Sequence, residues 1–393
     1  MPFPYQRNLF ALYFVKVAKW MNLVMPVIVL FYQSNGMTMQ DIFTLQAVYS
    51  VTLMVLEIPT GYFADIAGRR TSILLGAILG FSGYLVYAVS GGFWEFMVAE
   101  TILGVGMSLV SGADSAMLYD SLLAVKRDEL YTRYEGRITS IGNFGEAFAG
   151  ILGGLLASVT LRTPYYFQAA IAFAAIPAAL FLIEPPVHGP IRKPALRDVF
   201  SIVRKVLHGD RKLFWNTMFS AVTGASTLTM AWFAQPYFSQ IGLTVSWFGV
   251  AWAILNLSVG LTAIYAWRIE KRLGARVTVL LFTLLLLSGY LGLALLDSAA
   301  GLILLLLFYL ARGLATPTLR NYINRITTSD IRATVLSVRN FVIRLLFAIL
   351  GPFYGWITDK WGLSTALLSA GAIFAIMSGV SLYFFLKYKT YTS

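Results

Sequence analysis

Ionisable side chains stand within stretches that are otherwise apolar, and they define the chemistry open to this chain. The acids are Glu57, Glu100, Asp114 and Glu146; the bases are Lys16, Lys19, Arg312, Arg339 and Arg344. A charge in hydrocarbon is costly, so each needs a partner or a wet cavity. Burial disfavours the charged form of a carboxylate, which makes acids at depth natural proton carriers. Arginine stays charged and demands a counter-charge, backbone carbonyls or an anionic ligand. Lys16 and Lys19 lie one turn apart, followed by Trp20. On a continuous helix Glu100, Gly104, Ser111 and Asp114 fall within about 80° and form one polar stripe. Trp232, Phe233 and Tyr237 gather around Pro236. Aromatic walls with basic heads (Lys16, Lys19, Arg312, Arg344) suit an amphiphilic organic anion or a flat drug-like molecule.

Other chemistry is absent from the residue inventory. The 393 residues include no Cys, so thiolate nucleophiles, disulfides and Cys-ligated metals are excluded. The two His, His188 and His208, share one polar stretch, which removes an intramembrane His relay or metal site. No Gly-rich nucleotide loop of the G-x-x-x-x-G-K-[ST] type occurs. The expectation is neither an enzyme nor a holder of metal or cofactor.

The elements that must position these charges are membrane spans. The chain is 58% hydrophobic and 12% charged, about half the charge of a soluble domain. Twelve stretches of roughly 20 or more apolar residues can be read: 9–32, 41–63, 72–90, 93–124, 138–160, 164–183, 212–238, 244–267, 276–296, 299–325, 331–358 and 363–386. Pro185, Pro186, Pro190 and Pro194 open the one long polar interruption. Residues 1–184 and 212–393 are thus expected as two six-helix halves, with 185–211 as linker. The N-terminus lacks a signal-peptide n-region and cleavage site, so the first helix should be retained. The 30 Lys and Arg gather mainly on the side of Arg69, Arg70, Arg127, Arg268, Arg320 and the linker, whereas the other side holds Arg162 and Lys360. Both termini and the linker are therefore expected to be cytoplasmic, in a bacterial-type inner membrane. Topology and lipid headgroups account for the net charge of +12 without nucleic acid.

The halves echo one another. An offset of 206 lays Gly36 on Gly242, Gly68 on Gly274 and Arg70 on Arg276. An offset of 198 lays Gly153 on Gly351, and Glu146 on Arg344. Duplicated halves place a pathway along their interface near the bilayer midplane.

The loop after the second span carries Gly61, Asp65, Gly68, Arg69 and Arg70. It resembles the G-x-x-x-D-x-x-G-[RK]-[RK] motif of the major facilitator superfamily. Gly61 would allow close helix approach and Gly68 a tight turn. The resemblance implies an all-α membrane fold of twelve helices in two pseudo-symmetric halves. It also implies that Asp65, Arg69 and Asp120 form a conformational latch, although Lys271 replaces the motif acid in the second half. Gly145, Glu146, Ala149, Gly150, Gly153 and Gly154 are similar to the fifth-helix motif of drug–proton antiporters, without its proline. Glu100 stands where many family members carry Arg.

These features imply a secondary active transporter of a small organic solute, working as a monomer by alternating access, with proton-coupled efflux. Asp114, Glu146 and Glu57 are the expected proton carriers, and Glu57 with Arg339 an ion pair between halves. The alternatives are uptake of an anionic metabolite or chelate, and a non-transporting receptor or sensor.

Overall fold

The computed structural model describes residues 3–185, 209–327 and 332–391. Most of the linker, with His188 and His208, lies outside the described residues. The described chain is helical, with no strand. Seven helical stretches are long and apolar enough to cross a membrane.

The helices are α1 (Phe3–Trp20), α2 (Ile28–Ser34), α3 (Met39–Ala67), α4 (Arg69–Val89), α5 (Phe93–Val110), α6 (Ala113–Leu123), α7 (Tyr131–Ala157), α8 (Thr163–Leu180), α9 (Arg211–Gln240), α10 (Val245–Leu273), α11 (Ala275–Leu295), α12 (Gly301–Ile326) and α13 (Arg332–Lys387). Their limits differ from the apolar runs in three informative places. The first run is two helices, α1 and α2, parted by an irregular segment that contains Pro26, whose missing N–H opposes a continuous helix. The fourth run breaks at Ser111 and Gly112, with Gly112 at φ 81°, a conformation that suits glycine. The eleventh and twelfth runs join in α13, interrupted only by Gly362 at φ 85°.

The repeat is visible in the backbone. Gly36 and Gly242 have φ of 80° and 74°, and Gly68 and Gly274 have 94° and 78°. Each pair thus occupies the same left-handed conformation at the same offset.

The chain forms two compact units. The first comprises 1–37, 48–191 and 244–253; the second comprises 38–47, 192–243 and 254–393. The start of α3 therefore belongs to the second unit, and the start of α10 to the first. Within the first unit α4 packs on α5 and α8. Gly76 lets α4 meet α5 so closely that a Cβ would come within 2.7 Å of the Gly106 carbonyl. Within the second unit α9 packs along α13, and α11 along α12. Both Asp359 carboxylate oxygens accept from the start of α3, from the Met39 and Gln40 N–H groups, at 2.8 Å each. A carboxylate there satisfies two orphan donors and complements the helix dipole.

Candidate functional site

The motif loop joins α3 to α4. Gly68 at φ 94° makes the expected tight turn. Gly61 does not serve close approach, because a Cβ there would meet nothing within 4 Å. Arg69 forms its ion pair with Asp120 on α6, while Asp65 is exposed. Glu184, at the end of the sixth span, accepts from the Arg69 and Arg70 N–H groups at 2.8 and 2.7 Å and so caps α4. Arg70 donates from Nη2 to the Leu180 carbonyl at 3.0 Å. Sequence reasoning missed Glu184; its position beside a run of prolines reads as linker.

The break at Gly112 places Asp114 in the first turn of α6, where the N-terminal dipole favours a carboxylate. Asp114 lies 3.5 Å from Lys19 and 3.9 Å from Lys16. Lys16, only 4% exposed, donates to both Glu135 oxygens at 2.8 Å and to Ser115 Oγ at 3.2 Å. Ser115 in turn donates to Glu135 Oε1 at 3.0 Å. Two lysines from α1 and two acids, from α6 and α7, thus make one network. Glu135 was hidden by its neighbours, Arg133 and Arg137, which read as a polar loop.

Glu100 belongs to a separate cluster. The expected stripe from Glu100 to Asp114 is not continuous, because the helix breaks between them and Gly104 abuts Thr52. Glu100 is buried and accepts from Tyr32 and Tyr87 at 2.8 and 2.7 Å; these hydroxyls also bond each other. Phe96 and Tyr165 stack against Tyr87. Arg162 closes this end by donating to the Ala88 and Ser90 carbonyls and to Asn35.

The glycines of α7 pack helices. A Cβ on Gly153 would come 1.9 Å from the Leu23 carbonyl oxygen, and one on Gly154 2.8 Å from the Gly249 nitrogen. Trp20 lies against Gly142. Glu57 and Glu146 are half-buried, in the first unit.

In the second unit the predicted aromatic cluster is core. Trp232, Phe233 and Tyr237 are buried; Phe233 meets Phe43 and Tyr354, and Tyr237 donates to the Leu296 carbonyl at 2.6 Å. Arg339 is buried and donates to Ser220 Oγ at 2.5 Å and Asn340 Oδ1 at 3.1 Å. Arg312 lies over the Tyr309 ring at 5.7 Å and lines a cavity of about 480 Å³ between α10 and α12. Arg344 is half-buried. Within the second unit and among its described residues, Arg325 faces Glu270 at 3.8 Å, whereas no such pair with an acid of that unit is formed by Arg312, Arg339 or Arg344. No cluster that could hold a metal ion occurs among the described residues.

The sequence model of the Major Facilitator Superfamily matches residues 9–351. The quinolone resistance protein NorA of Staphylococcus aureus is 26% identical over 182 residues, 46% of each chain; this chain thus spans about half the length of that relative. The class H tetracycline resistance protein of Pasteurella multocida is 25% identical over 366 residues, 86% of each. Among solved structures, the nucleoside transporter NupG superposes with a TM-score of 0.79 at 13% identity, covering 98% of this chain and 99% of the other. A bacterial homologue of the human lysosomal transporter Spinster gives 0.74 at 14%, covering 99% and 98%. At these identities the structural likeness speaks for the fold alone.

Proposed function

The chain belongs to the Major Facilitator Superfamily, and from that premise we propose that it exports a small organic solute by proton-coupled alternating access. The network of Lys16, Lys19, Asp114 and Glu135 carries this reading. Protonating Asp114 removes the counter-charge of Lys19, and protonating Glu135 removes the nearer counter-charge of Lys16. Buried ion pairs are costly to leave half-made, so the lysines must then find other partners. Asp114 and Asp120 share the half-helix α6, six residues or about 9 Å apart, so movement at one end reaches the Arg69–Asp120 pair at the other. That arrangement links a proton-binding group to the latch through a single rigid element. The names of two relatives, quinolone and tetracycline resistance proteins, favour efflux. The working form is a monomer in a cytoplasmic membrane, with both termini cytoplasmic.

The test is solute flux in proteoliposomes with and without an imposed pH gradient. Wild-type flux should follow the gradient. Asp114→Asn should lose that dependence by at least tenfold while still exchanging solute down its own gradient. Unchanged gradient dependence in this variant would move the proton site to Glu57, Glu100 or Glu146. A protein that moves no solute under either condition would be a sensor.

A further inference from the structure

The cavity between α10 and α12 has a chemistry distinct from the acid–lysine network of the first unit. Its polar lining includes Arg312, Arg320, Thr316 and Asn324, and no acidic residue lines it. Gly313 sets its shape: a Cβ there would lie 2.5 Å from the Val259 carbonyl, so the two helices touch at this level. Four residues on, Pro317 lacks the N–H that would bond the Gly313 carbonyl, which loosens the helix where the cavity opens. Arg312 and Arg320 are eight residues apart, about 12 Å along the helix. Anchoring to headgroups explains Arg320 but not Arg312, which lies two turns deeper. Finally, the Asn324 side-chain oxygen is buried with no hydrogen-bond donor, a costly condition that a bound donor would relieve.

We infer that this cavity binds a small organic anion whose charge Arg312 and Arg320 attract from its two ends, with Asn324, one turn beyond Arg320, accepting from a ligand hydroxyl or N–H at that end. The same chemistry is offered by an aromatic hydroxy acid and by the headgroup of phosphatidylglycerol. Only the assignment of the bound anion as transported solute rests on the transport reading; the binding site does not.

The experiment uses purified full-length protein in phosphatidylcholine nanodiscs, with salicylate, neutral salicylamide and cationic 2-hydroxybenzylammonium as probes. Salicylate at about ten times its Kd should raise Tm by about 2 °C, and the other two should not. Arg312→Gln should abolish the shift and Arg325→Gln should retain it. Phenylglyoxal labelling of wild-type arginines provides a measurement that needs no variant to fold: salicylate should protect Arg312, and salicylamide should not. In nanodiscs containing phosphatidylglycerol, a stabilisation that depends on Arg312 and competes with salicylate supports the anion site and names lipid as an occupant. Equal shifts in wild type and Arg312→Gln, equal stabilisation by the ammonium probe, or no response to salicylate or phosphatidylglycerol overturns it. An Arg312-dependent shift in a protein without flux sinks only the transport reading. Gradient-driven flux without any such shift or protection sinks only the anion site.

Discussion

Lys16 bridges two acids from different helices, Glu135 at 2.8 Å and Asp114 at 3.9 Å. Its depth on the first span, and its neighbour Lys19, marked both as needing partners. Asp114 was recognised as an intramembrane acid, but the carboxylate closest to Lys16 is Glu135 at 2.8 Å. Hydropathy locates spans and says little about a polar residue at a span's end, so Glu135 and Glu184 both passed as loop. Lys16→Met leaves Glu135 without its cation while Asp114 keeps Lys19, and breaking such a largely buried pair costs about 3 kcal/mol. Thermal unfolding in detergent should show this loss, and Lys16→Met with Glu135→Gln should recover part of it. The proposed latch sorts its acids in the same way. Arg69 bonds Asp120 rather than Asp65, so Asp120→Asn should lower initial transport rates more than Asp65→Asn, with expression of both near wild type. Equal losses in proteoliposome flux would return Asp65 to the latch.

At the scale of elements, the twelve apolar runs correspond to helices, while the two breaks were not legible. Pro26 and Gly112 lie in runs whose hydropathy continues across them, and hydropathy carries no information about backbone dihedrals. The glycines of α7 were legible as a motif, but their purpose needed the neighbours. Gly153 faces the Leu23 backbone, which cannot rotate away as a side chain would. Gly153→Ala should therefore cost about 1–3 kcal/mol through overpacking, read as a lower Tm and a smaller monodisperse fraction on size exclusion. Gly61→Ala is its control: with open space around it, the change should stay within about 0.5 kcal/mol of wild type.

For the whole molecule, the division of charge between the two units matters most. The first unit pairs Lys16 and Lys19 with its own acids, whereas in the second unit Arg312, Arg339 and Arg344 have no acid of that unit at ion-pair distance among its described residues. Neutralising Arg344 should therefore impair flux more than neutralising Arg325, which already has Glu270; proteoliposome assays of the two Ala variants check this. The cap on α3 bears on how the protein is made. Met39 and Gln40 emerge from the ribosome 320 and 319 residues before Asp359, the side chain that receives their N–H groups. At about 5–20 residues per second, the Met39 and Gln40 N–H groups wait roughly 16–64 s for that carboxylate, while the local Thr38–Asp41 capping box already receives the Asp41 N–H. The second unit thus includes a piece of chain made long before the residue that caps it, and its assembly cannot be completed before Asp359 is in place.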